Sequence, residues 1–140
     1  MAQATVTWVQ GKQFIGTDST KHSVVVSSAD EGIGMKPSEL MLVALGSCTA
    51  YDVVGILEKK RLKLDGVQVS VTAEQDAEPP WTFRKFHVHY VVSGENLRHE
   101  DVARAIELSE TKYCSVSNTL RLAAEITFDF EIIETAAVPA

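Results

Sequence analysis

The chain has 140 residues, 45% of them hydrophobic, and 19 acidic side chains against 13 Lys and Arg give a net charge of −6 at pH 7. That length and apolar share fit a single domain over residues 1–140 with enough side chain for a core. The acidic balance argues against a general nucleic-acid binder, which carries a basic patch. The opening residues, MAQATVTWVQ, lack the basic flank and apolar core of an export signal, so a cytoplasmic location is expected.

In chain order, residues 3–10 alternate Val6 and Trp8 with Thr5 and Thr7 and predict a strand. A second short strand is expected around Phe14 and Ile15, between Gly11 and Gly16, and a third over residues 22–28, making an antiparallel meander. Residues 29–36, with Gly32 and Gly34, read as a loop. Residues 37–61 carry the longest apolar run and no internal proline, and predict one long helix. Pro37 suits a first helical position, Glu39 the positive end of the helix dipole, and Lys59, Lys60 and Arg61 the other end. Its apolar residues fall on nearly every side between Leu40 and Leu57, so it must be wrapped by protein or lie in lipid. Gly46, Ser47, Thr49, Asp52 and Gly55 interrupt the run, which favours protein.

Beyond it, residues 62–66 read as a turn and 67–74 as a half-buried strand with Val67, Val69 and Val71 on one side. Two prolines break the pattern before residues 83–92, where Phe86, Val88, Tyr90 and Val92 face one way. A second helix starts near Glu100, with acids in its first turn, and stops near Thr111. A short helix over residues 115–122, a last strand over 126–133 and a frayed tail, TAAVPA, complete the order. Strands and helices are segregated, so the class is α+β.

The chemistry concentrates on two thiols. Cys48 and Cys114 lie 66 positions apart and form neither a CxxC pair nor a metal knuckle. In a reducing compartment a pair that meets is more readily redox-active than structural. Cys114 precedes the short helix, where unpaired N–H groups and the dipole lower a thiol pKa, and Lys112 is two residues away. On helix-end physics alone it is the better thiolate. Cys48 is too deep in its helix for that effect. His87 and His89 share one strand face, but zinc needs a third ligand, and none is evident, so a solvated face and no metal are expected. Asp52, one turn after Cys48, is expected to pair structurally.

The run PSELMLVALGSCTAYDVV followed far downstream by YCSVSNTL resembles the osmotically inducible protein C and organic hydroperoxide resistance (OsmC/Ohr) superfamily. The resemblance covers nearly the whole chain through the order of elements. It implies an OsmC-like fold, with antiparallel sheets around two long central helices in an intertwined homodimer. It also implies a thiol peroxidase for organic hydroperoxides, recharged by a dithiol reductant such as a dihydrolipoyl protein; no cofactor and, from the charge balance and the interrupted helix, no nucleic-acid or membrane partner are expected. By position, Cys48 takes the role of the peroxidatic thiolate and Cys114 that of the resolving thiol. The family's early arginine has no counterpart before Arg61; of Lys12, Lys21 and Lys36, Lys12 stands nearest its place. Glu39 lies one position after the family's glutamate, where Ser38 stands, and Ser115 replaces a common proline. The alternative is an OsmC-like protein that binds a small apolar ligand with weak or no peroxidase activity.

Overall fold

The computed structural model describes residues 1–135. Two compact units divide at residues 41 and 42, and each has its own sheet. In the N-terminal unit, strands β1 (Ala4–Gln10), β2 (Gln13–Asp18) and β3 (Ser23–Ser27) form the expected antiparallel meander in the order β1-β2-β3. The loop after β3 folds back on that strand: Met35 N–H donates to Val25 O at 3.0 Å, and Ser27 N–H donates to Met35 O at 3.0 Å. Gly34 makes this return possible, since a Cβ there would stand 2.7 Å from the Val25 backbone.

Helix α1 (Pro37–Lys59) begins at the predicted proline. It ends two residues earlier than the sequence suggests, because Arg61 takes a left-handed conformation (φ 59°) that leaves the helix. Five of its 23 residues, Leu45, Gly46, Thr49, Val53 and Leu57, are buried. By length and composition this helix is also able to cross a membrane, as are the core helices of many water-soluble proteins.

In the C-terminal unit the sheet order is β4-β5-β6, from β4 (Lys63–Gln75), β5 (Phe83–Glu95) and β6 (Glu125–Glu134). Strand β4 starts earlier than expected. A register shift between Leu64 and Gly66 breaks the alternation there, so residues 62–66 imitate a turn while most of them already belong to the strand. The inward sets Val67, Val69, Val71 and Val92, Tyr90, Val88 meet as cross-strand partners. β4 and β5 pair antiparallel. β6 pairs parallel with β5, Val88 facing Phe128 and Tyr90 facing Phe130. This departs from the all-antiparallel expectation, and the cause is the connection: helix α2 (His99–Leu108), a π-helical turn (Ser109–Tyr113) and helix α3 (Ser115–Leu120) carry the chain back to the starting end of the sheet. The core combines Leu45, Val53 and Leu57 of α1, the inner face of β5, and Val102, Ala105 and Ile106 of α2.

The second helix therefore ends in a widened turn, and α3 stops before Leu122, which is 89% exposed. Thr135 is not frayed: its N–H donates to Gly94 O at 2.9 Å, and its hydroxyl donates to Asp65. The remainder of the expected frayed tail, 136–140, lies outside the described residues. Gly94 itself sits tightly against β4, where a Cβ would come 2.3 Å from Lys63 O. Gly94→Ala must push the two strands apart, and is expected to lower stability by about 1–3 kcal/mol, read as an earlier urea midpoint.

Candidate active site

Cys48 lies at the middle of α1 and is half-buried; Cys114 is fully buried, and both are free thiols. The fold makes them neighbours, close enough for the Cys48 side chain to act on the Cys114 thiol. Cys114 caps α3 with extended backbone angles (φ −78°, ψ 106°), and its sulfur accepts the Ser117 N–H at 3.2 Å. Its own N–H donates to Ser109 O at 2.8 Å, the wide-spaced bond that closes the π-helical turn.

The helix-end expectation for Cys114 is overturned. Burial pushes its thiol up to about 12, the Cys48 side chain and the charge of Glu110 add to the rise, and the single Ser117 N–H works against them without prevailing. A six-residue helix offers little dipole to oppose full desolvation. Lys112 does not help, because its ammonium lies over the Tyr113 ring, 5.6 Å from the centroid.

Beneath the thiols runs a polar network that the motifs did not announce. Glu110, four residues before Cys114, is fully buried. Tyr90 OH donates to its Oε1 at 2.7 Å and Ser117 Oγ to its Oε2 at 2.7 Å. Arg121 Nη2 donates to the Glu110 carbonyl at 2.7 Å and lies 3.8 Å from Oε2. Thr49, next to Cys48, is 2.5 Å from Tyr90 OH and 3.0 Å from Ser109 Oγ, and Ser109 donates to Asp52 at 2.8 Å. Asp52 thus has the structural partner expected of it. Burial drives the Tyr90 hydroxyl well above the ordinary range for a phenol. One signal for this network was present in sequence: Tyr90 is the only polar-tipped member of an inward-facing run, and a buried phenol needs a partner. Nothing comparable marked Glu110 or Arg121.

Lys12 and Glu39 are exposed in the N-terminal unit. Lys12 occupies the turn between β1 and β2, where its carbonyl accepts from Ser28 N–H at 3.3 Å, and Glu39 faces Lys36 at 3.8 Å. His87 and His89 do share a face, where both bond Asp129 Oδ1, at 2.9 and 2.7 Å. The Asp129 bond raises the His89 pKa, and the same contact, with that of His87, holds Asp129 below the usual carboxylate range. Among the described residues no group of three or more His, Cys, Asp or Glu side chains is placed to hold a metal ion.

This arrangement of two sheets, a long helix and paired cysteines defines a class. Residues 29–129 match the family described as OsmC-like protein, and the chain belongs to that family. It is 37% identical over 131 residues to Protein YhfA of Escherichia coli (strain K12), across 94% of this chain and 98% of that one. Among solved structures it is similar to the OsmC-like protein from Mycoplasma pneumoniae, with a TM-score of 0.81 at 13% identity over 95% of this chain and 97% of that one. The organic hydroperoxide resistance protein OhrB of Bacillus subtilis aligns with a TM-score of 0.60 at 16% identity, over 92% and 98%. At those identities the two structures speak for the fold.

The burial of Cys114 has a measurable sign. With Cys48→Ser in place, alkylation of Cys114 by iodoacetamide should keep accelerating well above pH ~9.5, where a free thiol of pKa ~8.5 has levelled off. A plateau there would contradict the assignment. Because burial pushes the folded thiol up to about 12, its contribution to stability is complete below the ordinary thiol range and is lost as pH rises toward 12. The urea midpoint should fall across that window, and less steeply in Cys114→Ala.

Proposed function

We propose that the chain is a thiol-dependent peroxidase that reduces organic or lipid hydroperoxides through a Cys48/Cys114 redox pair. The observation that carries this reading is that two cysteines distant in sequence are reduced neighbours in the fold, one accessible and one buried. The Cys48 thiolate attacks the peroxide O–O bond. Its sulfur takes the hydroxyl and becomes a sulfenic acid, while the alkoxide leaves and picks up a proton to become the alcohol. The Cys114 sulfur then attacks the Cys48 sulfenic sulfur, an S–S bond forms, and the departing hydroxide combines with the Cys114 proton as water. A dithiol such as a dihydrolipoyl protein returns both cysteines to thiols by exchange. No cofactor enters this cycle.

Family membership supports the reading, as does fold similarity to a protein named for organic hydroperoxide resistance. In this proposal Lys12 stands in for the early arginine of the family, as a point charge without the bidentate fork of guanidinium, and Glu39 for its glutamate. The working form is an intertwined homodimer. Helix α1 is apolar on most sides with only five residues buried, and Val6 and Trp8 of β1 are 68% and 65% exposed, so a second copy would cover surface that otherwise faces water. The family match crosses the boundary between the two units, which supports residues 1–140 acting as one domain. In this proposal the protein works in the cytoplasm, and neither nucleic acid nor membrane has a part.

A second reading, binding of a small apolar ligand with weak or no peroxidase activity, is favoured by an apolar hollow of about 590 Å³ in the N-terminal unit, lined by Val6, Phe14, Val24, Val26, Pro37 and Leu40. Anaerobic thiol titration separates the two. One equivalent of cumene hydroperoxide should consume both thiols of the reduced protein and yield one intramolecular disulfide. Cys48→Ser should lose no thiol, and Cys114→Ser should carry Cys48 on to sulfinic acid when peroxide is in excess. If the wild-type thiols survive, the peroxidase reading falls and the binding reading stands.

A further inference from the structure

Five oxygen-bearing side chains make one continuous line through the core of the C-terminal unit. From the Asp52 carboxylate it passes to Ser109 Oγ at 2.8 Å, to Thr49 Oγ1 at 3.0 Å, to Tyr90 OH at 2.5 Å and to Glu110 Oε1 at 2.7 Å. Four contacts require four hydrogens. The three hydroxyls supply one each, and an ionised carboxylate supplies none. With both carboxylates ionised, one gap would hold two oxygens at hydrogen-bonding distance with nothing between them. That arrangement is costly here, since Thr49, Tyr90, Ser109 and Glu110 are all 0% exposed.

Among the described residues no neighbouring donor makes up the deficit. The Ser117 hydroxyl is directed to the other Glu110 oxygen, and Arg121 spends its short bonds on the Glu110 carbonyl and Ser117 Oγ, at 2.7 and 3.2 Å. We propose that the line carries a fourth hydrogen on one of its two terminal carboxyls, making Asp52, Ser109, Thr49, Tyr90 and Glu110 a proton-sharing clamp between the helix of Cys48 and the turn of Cys114. Each hydroxyl donates in one direction and accepts from the other. Moving each of the four hydrogens across its own gap, from one oxygen to the next, therefore carries the negative charge from one end to the other while the heavier atoms keep their places.

The ends of the clamp differ. Asp52 opens on a hollow that it lines with Tyr51, Glu58, Lys59, Lys60 and Tyr113. Glu110 is enclosed, with Arg121 and Cys114 as its ionisable neighbours besides Tyr90. Thr49 follows Cys48 directly, and Ser109 and Glu110 begin the turn that ends at Cys114. In this proposal Thr49 and Glu110 are positioning residues that hold the two cysteines in register. The clamp stands whether or not the thiols reduce peroxides, so its test is separate from the titration above.

Infrared spectroscopy of the reduced full-length protein at pH 7 reads the fourth hydrogen directly, as the carbonyl stretch of a protonated carboxylic acid that shifts in D2O. About one such group per chain is expected, because exposed carboxyls are ionised at that pH. Three substitutions each remove the need for it. Glu110→Gln and Asp52→Asn bring an amide hydrogen that fills the empty place. Thr49→Val cuts the line at its middle and leaves each carboxylate with its own hydroxyl donor. The band should vanish in all three, with circular dichroism confirming the fold and the near-isosteric Glu110→Gln serving as the fallback if Thr49→Val does not fold. Absence of the band from the wild-type protein overturns the proposal, and so does its persistence in any folded variant of the three.

Discussion

A carboxyl group with no access to water, Glu110, fixes the geometry of the C-terminal unit more tightly than any apolar contact. Apolar side chains tolerate small slides, whereas a buried acid must keep every partner or incur a large desolvation cost. Its partners come from different elements: Tyr90 from β5, Ser117 from α3 and Arg121 from the end of α3. Through Tyr90 and Thr49 the same network reaches α1. Leaving a buried polar group short of one hydrogen-bond partner costs about 1–3 kcal/mol, so the positions of these elements are set jointly. The Cys114 turn is fixed as a consequence.

Two cysteines placed this way are unequal. Helix N-termini favour thiolates, yet at Cys114 a short helix offers one N–H against complete burial, and burial prevails. A thiol kept protonated and enclosed is poorly suited to meet a solvent-borne oxidant first, but it is well placed to attack an oxidised sulfur beside it. Cys48, half-buried on its helix, has the complementary exposure. Under the proposed peroxidase cycle, burial favours the same roles for the two thiols as the family resemblance implies, although the helix-end argument pointed the other way.

Much of the fold was legible in the sequence, for identifiable reasons. Alternation marked β5 because its buried residues Phe86, Val88, Tyr90 and Val92 alternate without interruption. Pro37 and the unbroken apolar run marked α1. The start of β4 escaped detection where a bulge at Leu64 and Gly66 shifts the phase of the pattern. The parallel placement of β6 follows from where the chain goes between residues 96 and 124, which periodicity does not encode. The π-helical turn was hidden as well, since Ser109–Tyr113 has no composition distinct from an ordinary last helical turn. At the site, paired motifs identified the cysteines, while Glu110 and Arg121 gain their roles only from tertiary contacts.

The parallel pairing of β6 also orders events in time. β4 and β5 are joined by a short connection and find each other locally, but β6 reaches β5 only after α2, the π-helical turn and α3 have been made and folded back. Until then the edge of β5 over residues 85–94, the stretch that β6 later covers, presents unpaired amide and carbonyl groups. A nascent or heat-shocked chain is thus most vulnerable to sticking to its neighbours in the interval before its last strand docks.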